Sequence, residues 1–285
     1  MKVRVIIGVS LGFLAISLVV AMGYGFVDWL FPLMSFVAGL ATHEVITVSG
    51  CKNKLLTGIS TAFAALLPVY YSLRLNEIIP VEPKLIYSVY LLFILILMVK
   101  MYSVTRFEHV CIALVSSLLI PMSICCITFT IRYCDSRTDI FSRSNGVFIV
   151  LMAMLCAWLS DSFALFIGMK FGKHKLSPNI SPKKSVEGAI GGVVCTTIVC
   201  MIIYFVFAKW YFKFDTIKWW MALIFIPFTC VMGMLGDLAA SVIKRNYGVK
   251  DFGTLLPGHG GAMDRSDSFL FTMPTAYLLT VLLTQ

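Results

Sequence analysis

The chain has 285 residues, of which 59% are hydrophobic and 13% are charged, and its formal net charge is +9. Soluble globular domains carry about 25% charged residues, so this composition excludes an ordinary soluble domain and indicates an integral membrane protein. A membrane-spanning helix needs about 20 apolar residues, which leaves room for about nine spans.

Nine apolar runs follow one another along the chain. They cover about residues 5–22, 26–48, 55–73, 85–99, 110–131, 146–169, 186–208, 219–243 and 269–283. The strands of a membrane barrel would alternate apolar and polar residues, whereas these runs are continuously apolar, so we expect an all-α polytopic membrane protein. No convincing cleavage site follows the first run, so we interpret it as a span rather than a secretory signal.

The connections between the runs differ in charge. With the first terminus placed in the cytoplasm, fifteen of the 23 Lys and Arg residues fall on the cytoplasmic side. This asymmetry obeys the positive-inside rule and places both long basic connections in the cytoplasm. Basic groups at that surface suit anionic lipid headgroups and phosphorylated substrates.

Three carboxylates lie within or at the end of apolar runs. Asp161 and Asp237 are inside runs, where a charged group is costly unless it faces a partner, a metal or water. A structural hydrogen bond to a neighbouring helix is the alternative for each. Glu44 lies near the cytoplasmic end of the second run, and we interpret it as an interfacial residue or a structural partner.

The sixth connection contains the segment "SPKKSVEG". Ser181 and Pro182 are a good N-cap and first-turn pair, so we expect a helix to start there with Lys183 and Lys184 in its first turn. Lysines oppose the helix dipole at that end unless an anion is bound, which indicates a phosphate site. The alternative is a capped helix with ordinary positive-inside bias.

The last polar stretch runs from Ser241 to Ser268 and is rich in glycine and charge. Its segment "PGHGG" allows positive φ and close approach of backbone amides to a ligand. Asp264 and Asp267 are three residues apart, so in the first turn of the last helix they would share one face and suit Mg²⁺. Alternatively, Asp264 is an N-cap, the glycines form a plain loop and His259 is a solvated side chain.

This stretch resembles the signature of the phosphatidate cytidylyltransferases, also called CDP-diacylglycerol synthases. The matching residues are Ser241, Ile243, Lys244, Arg245, Lys250, Asp251, Gly253, Leu256, Pro257, His259, Gly260, Gly261, Asp264, Arg265 and Asp267. Ala262 and Ser266 depart from it, because larger apolar residues are usual there. Upstream, "DSFA" at Asp161 and "SPKKSVEG" are also similar to the family, and Leu165 stands where an aromatic residue is common.

The resemblance implies an enzyme, commonly a homodimer, that makes CDP-diacylglycerol and pyrophosphate from CTP and phosphatidic acid in the bilayer. It implies Mg²⁺ as cofactor, with another divalent or a monovalent cation as an alternative, and Asp237 and Asp264 match the metal-binding aspartates. We expect about five spans in residues 1–145 and a catalytic region in residues 146–285, with cytoplasmic loops at 170–185 and 244–267. The expected location is the inner membrane, with the active site facing the cytoplasm and no nucleic-acid partner.

The expected site draws on both basic connections. The catalytic residues would be Asp237, Asp264, Lys244 and Arg265, and Asp267 or Asp161 would support the metal. The expected substrate-binding residues are Ser181, Lys183, Lys184, Arg245, Lys250, Asp251, His259, Gly260 and Gly261. The alternatives are a transporter that uses Asp161 and Asp237 as ion sites, another CTP-using lipid enzyme such as a polyprenol kinase or an archaeal-type ether-lipid cytidylyltransferase, and a structural scaffold.

Overall fold

The computed structural model describes residues 27–137, 142–211, 217–254 and 260–284. Helices and one short hairpin account for the regular structure in these residues. Their bounds are α1 Val27–Val48, α2 Lys54–Leu75, α3 Pro83–Lys100, α4 Phe107–Ser136, α5 Arg143–Phe171, β1 Lys175–Ser177, β2 Ser181–Ser185, α6 Val186–Ile203, a π-helical segment Tyr204–Tyr211, α7 Trp219–Asn246, α8 Met263–Ser266 and α9 Phe269–Leu283.

Eight stretches of the described residues are long and apolar enough to cross a membrane. Each of α1 to α5 and α7 provides one, α6 extends into the π-helical segment to provide another, and α8 with α9 provides the last. The predicted all-α polytopic membrane fold is confirmed. The first predicted run, residues 5–22, lies outside the described residues, so the ninth span stays a prediction.

The chain divides into two compact units. We call residues 27–125 with 246–266 the N-terminal unit, and residues 126–245 with 267–284 the C-terminal unit. Residues 246–254 and 260–266 therefore belong to the same unit as α1, α2, α3 and the first part of α4, although they are distant from them in sequence. The predicted functional division at residue 145 stays a prediction.

The N-terminal unit has an apolar core, and a polar contact of Tyr90 lies within it. Ile46, Leu56 and Ile94 are buried in this core. The hydroxyl of Tyr90 lies 2.7 Å from Ser117 Oγ and donates to Ser60 Oγ at 3.0 Å. A buried hydroxyl must be hydrogen-bonded, so this contact fixes how α2, α3 and α4 pack.

Asn53 determines where α2 begins. Its Oδ1 atom accepts the backbone N–H groups of Leu55 and Leu56 at 3.0 and 3.1 Å, which makes it the N-cap. Its Nδ2 atom donates to Thr105 Oγ1 at 2.7 Å. One buried side chain thus caps a helix and connects it to the segment before α4.

In the C-terminal unit, glycines allow α5 and α6 to pack closely. A Cβ atom on Gly188 would lie 2.6 Å from the carbonyl oxygen of Ala164, and one on Gly192 would lie 2.9 Å from that of Ser160. Small residues permit such backbone contact between membrane helices. This contact places the start of α6 beside the last turns of α5.

The expected helix start at Ser181 is wrong. Ser181 belongs to β2, which pairs antiparallel with β1 so that Lys175 faces Ser185 and Ser177 faces Ser181. The helix begins at Val186, and Ser185 is its N-cap, because its Oγ atom accepts the N–H of Gly188 at 3.1 Å. Two serines in this segment suit an N-cap, and pairing with β1 removes the first from the helix.

Candidate active site

Three aspartates come together in the C-terminal unit. Asp161 lies in α5, Asp237 in α7 and Asp267 just before α9, and all three are half-buried. Their carboxylates are close enough to interact electrostatically with one another. We call Asp161, Asp237 and Asp267 the acidic cluster. Residues that are 106 positions apart therefore form one region of negative charge.

The turn before α9 reaches the cluster because α7 has a glycine there. A Cβ atom on Gly236 would lie 2.7 Å from the carbonyl oxygen of Asp267, so a larger residue would displace this turn. Ser268 then holds two members of the cluster. Its N–H donates to Asp267 Oδ1 at 2.8 Å, and its hydroxyl donates to Asp161 Oδ2 at 3.3 Å.

Lys184 brings a positive charge to the acidic cluster. Its ammonium group makes an ion pair with Asp237 Oδ2. Nζ is buried, and this ion pair is the only contact to it that the described residues provide. An ammonium group has three donors, so a single carboxylate partner leaves donors unused, and unused donors are costly in a buried position. This position therefore suits an anionic ligand that would accept those donors beside Asp237.

The two lysines of "SPKK" have different surroundings. Successive residues of a strand point to opposite faces, so Lys184 is half-buried while Lys183 is exposed. Ser181, in the same strand, is half-buried. The sequence predicted both lysines in one helical turn, and only Lys184 contacts the acidic cluster in the structure.

The end of α7 contributes two more of the predicted cations. Lys244 interacts electrostatically with Asp267. Arg245 donates through Nε to the carbonyl oxygen of Ile180 at 3.3 Å, which connects α7 to the turn of the hairpin. The predicted Lys184, Lys244 and Arg245 are thus brought to the same region as the acidic cluster.

Glu187 is hydrogen-bonded to the residues before the hairpin, and it was not among the predicted site residues. Its carboxylate accepts the N–H groups of Lys173 and His174 at 3.0 and 3.2 Å, and it lies 2.5 Å from His174 Nδ1. An acidic residue in the first turn of a helix is the signal that could have indicated this role.

In the N-terminal unit, Asp264 closes the glycine-rich loop. Its Oδ2 atom accepts the N–H groups of Phe252 at 2.7 Å and Gly261 at 3.0 Å. Gly260 has a φ of +82°, a conformation that favours glycine. The amide of Gly261 is therefore hydrogen-bonded within the protein. We call residues 252–253 and 260–264 the loop neck.

Glu44 contacts the same neck. Its two carboxylate oxygens accept the N–H groups of Ala262 at 3.0 Å and Met263 at 2.8 Å. The interpretation of Glu44 as a structural partner is confirmed, and the group that it contacts lies 218 residues further along the chain.

Tyr247 anchors the start of the loop. Its hydroxyl donates to Glu108 Oε1 at 2.7 Å. Burial, followed by the hydrogen bond to the Glu108 carboxylate, raises the pKa of Tyr247 to about 12. The phenol is therefore neutral and remains a hydrogen-bond donor at physiological pH.

The remaining predicted residues are placed as follows. Lys250, Asp251 and Arg265 are exposed, and His259 lies outside the described residues.

The expectation that Asp264 and Asp267 share the first turn of the last helix is wrong, because α8 ends at Ser266 and α9 begins at Phe269. No group of three or more His, Cys, Asp or Glu side chains in the described part of the chain is arranged to hold a metal ion.

The sequence model of the cytidylyltransferase family matches residues 2–283. The chain belongs to the cytidylyltransferase family. The matched residues include the acidic cluster, the hairpin and the loop neck.

Curated relatives match a shorter part of this cytidylyltransferase-family chain. Proteins named phosphatidate cytidylyltransferase from Staphylococcus haemolyticus, Staphylococcus saprophyticus and Staphylococcus aureus are 44%, 45% and 45% identical to it over 144 residues. That match includes 50% of this chain and 52% of each relative. The chain thus spans about half the length of the curated relatives it matches.

Proposed function

We propose that this chain is a membrane phosphatidate cytidylyltransferase, which makes CDP-diacylglycerol and pyrophosphate from CTP and phosphatidic acid. The observation that carries the proposal is the buried Lys184 ammonium group, which lies against Asp237 in the acidic cluster and has unused donors. A site that combines carboxylates for a cation with a buried ammonium for an anion suits a metal-bound nucleotide. Family membership and the names of the relatives support the same conclusion.

The reaction needs no base to generate its nucleophile. The second pKa of a phosphate monoester is about 6, so phosphatidate is already largely ionised at neutral pH. One of its oxygens attacks the α-phosphorus of CTP, the bond from that phosphorus to the α–β bridging oxygen breaks, and pyrophosphate leaves with the electron pair. The protein must mainly reduce the repulsion between two polyanions and stabilise the charge on the leaving group.

The acidic cluster fits Mg²⁺ as the cofactor. Its carboxylates are hard oxygen ligands, and Mg²⁺ usually takes one or two protein carboxylates and completes its octahedron with water and substrate oxygens. We assign Asp237 as the main ligand, with Asp267 or Asp161 in support. When bound, Mg²⁺ supplies charge neutralisation to the triphosphate. The ligand role of Asp264 that the family resemblance implies stays part of the proposal.

The cations are assigned to the phosphates. Lys184 and Lys244 lie at the acidic cluster, so they would contact the phosphates nearest the metal. Lys183, Arg245, Lys250 and Arg265 would draw the two anionic substrates to the membrane surface, as clustered charges do.

The location and the assembly are also proposed. The positive-inside asymmetry supports a cytoplasmic active site in the inner membrane. The family resemblance supports a homodimer.

A direct test supplies purified protein with CTP labelled in the cytosine ring, phosphatidic acid and Mg²⁺. We expect a labelled CDP-lipid and an equal amount of pyrophosphate, and removal of Mg²⁺ by EDTA should abolish both. A phosphorylated alcohol with CDP as by-product would indicate a kinase. Movement of substrate into sealed vesicles without CTP consumption would indicate a transporter, and either result would overturn the proposal.

A further inference from the structure

We propose that Glu44 is a positioning residue, which fixes the loop neck and through it the backbone that carries Asp264 and Arg265. The inference rests on the proposed function, because the roles of Asp264 and Arg265 in substrate handling are those that the family resemblance implies. Glu44 lies outside the sequence signature and in a different helix, α1. It acts through the neck and is not assigned any contact with substrate.

Hydrogen bonds give the first line of support. The two carboxylate oxygens of Glu44 each accept one amide of the neck, from Ala262 and Met263. Met263 is the residue immediately before Asp264. Hydrogen bonds to an ionised acceptor are stronger than those between neutral groups, so this carboxylate holds the chain firmly on one side of Asp264.

Packing against glycines gives an independent line of support. A Cβ atom on Gly253 or on Gly261 would collide with the carboxylate of Glu44. Gly261 does not have a positive φ, so its conformation alone does not require glycine. The space that Glu44 occupies explains why both positions have no side chain, and it shows that Glu44 touches both sides of the neck.

Two carboxylates therefore close the neck together. Asp264 joins the two sides by accepting the amides of Phe252 and Gly261. Glu44 lies against Gly253 on one side and bonds the amides of Ala262 and Met263 on the other. If Glu44 is lost, its hydrogen bonds to Ala262 and Met263 and its packing against Gly253 and Gly261 disappear, while Asp264 and Arg265 remain in the chain.

The test compares Glu44→Gln with Asn53→Ala in the full-length protein. Gln keeps the size of Glu but presents one acceptor and one donor to two amides, so one hydrogen bond is lost. Asn53→Ala removes a helix cap in the same unit, far from the signature in sequence, and serves as a control for destabilisation. The measurements are thermal unfolding, binding of labelled CTP with Mg²⁺, and kcat and KM for CTP and for phosphatidate.

We expect Glu44→Gln to weaken CTP binding about 10-fold and to lower kcat by about 10- to 100-fold, because small displacements of a site cost that much. The KM for phosphatidate should stay within about twofold of wild type. Asn53→Ala should lower the unfolding temperature and leave CTP binding and kcat unchanged. A Glu44→Gln protein that behaves like Asn53→Ala would overturn the inference.

A second pair of variants checks the contact itself. Gly261→Ala should strongly reduce CTP binding in the wild type, because the added methyl group meets the Glu44 carboxylate. In Glu44→Ala the same methyl group has room, so it should cause little further loss. Equal losses in both backgrounds would contradict the packing argument.

The outcomes separate this inference from the proposed function. A wild-type protein that binds CTP but forms no CDP-lipid would refute the proposed function, and Glu44 would then be judged on CTP binding alone. Full CDP-lipid synthesis by the wild type and by Glu44→Gln would refute only the role of Glu44.

Discussion

Replacing Lys184 with methionine removes the ammonium group from the acidic cluster and keeps most of the side-chain volume. Two unit charges about 4 Å apart interact by about 4 kcal/mol at an effective dielectric constant of 20. The side chain of Lys184 is 23% exposed relative to a free lysine side chain. Solvent screening therefore reduces its interaction with a bound phosphate. We therefore expect the loss of this interaction to raise the activation free energy by about 2–3 kcal/mol. This increase lowers kcat/KM for CTP by about 30- to 150-fold.

The assay measures kcat/KM for CTP at saturating phosphatidate with the variant purified and its fold checked by circular dichroism. Lys175→Met is the matched control, because Lys175 lies in the partner strand of the same hairpin and is exposed. We expect this control to stay within about twofold of wild type. A folded Lys184→Met protein with wild-type kcat/KM, or an equal loss in Lys175→Met, would refute the role of the buried ammonium group.

Two further substitutions, with one control variant, test the metal site and the fold. Asp237→Asn should lower kcat by at least about 100-fold while the protein stays folded, because a proposed metal ligand and a charge are lost. Asp135→Asn is the control: it breaks the ion pair with Arg143 and should leave kcat unchanged. Asn53→Ala should lower the free energy of unfolding by about 1–2 kcal/mol, measured by denaturant unfolding in detergent, because it removes an N-cap and the bond to Thr105. An unchanged unfolding curve would show that this cap does not stabilise the unit.

The membrane fold could be predicted because it depends on local composition. Each apolar run of sufficient length must satisfy its backbone hydrogen bonds internally in lipid, and a helix does so without reference to the rest of the chain. The division of the described residues into two units could not be predicted in this way. Glu44 and Met263 are 219 positions apart, and no local pattern specifies their contact.

The hairpin shows why the site was only partly predictable. Ser181 and Ser185 are equally suitable N-caps by local sequence, and pairing of β2 with β1 decides between them. That choice turns Lys183 outward and Lys184 toward Asp237. In the structure Lys184 meets a carboxylate of α7, whereas the helical turn that was expected to present this lysine is absent from this segment.

The expectation that Asp264 and Asp267 share a helical face fails for a similar reason. Three residues apart in a helix they would share a face, but the chain leaves helical geometry between α8 and α9. Ser268 caps the start of α9, and its N–H and its hydroxyl donate to Asp267 and Asp161. The sequence identified the residues that carry charge, and long-range contacts determine which of them meet.

The most direct test follows the α-phosphate and the γ-phosphate of CTP separately through the reaction. Purified protein would be incubated with phosphatidic acid, Mg²⁺ and CTP labelled either at the α-phosphate or at the γ-phosphate. We predict that the α-label enters the lipid as CDP-diacylglycerol and that the γ-label is released in pyrophosphate. Transfer of the γ-label to a lipid, with the α-label left in soluble CDP, would contradict the account.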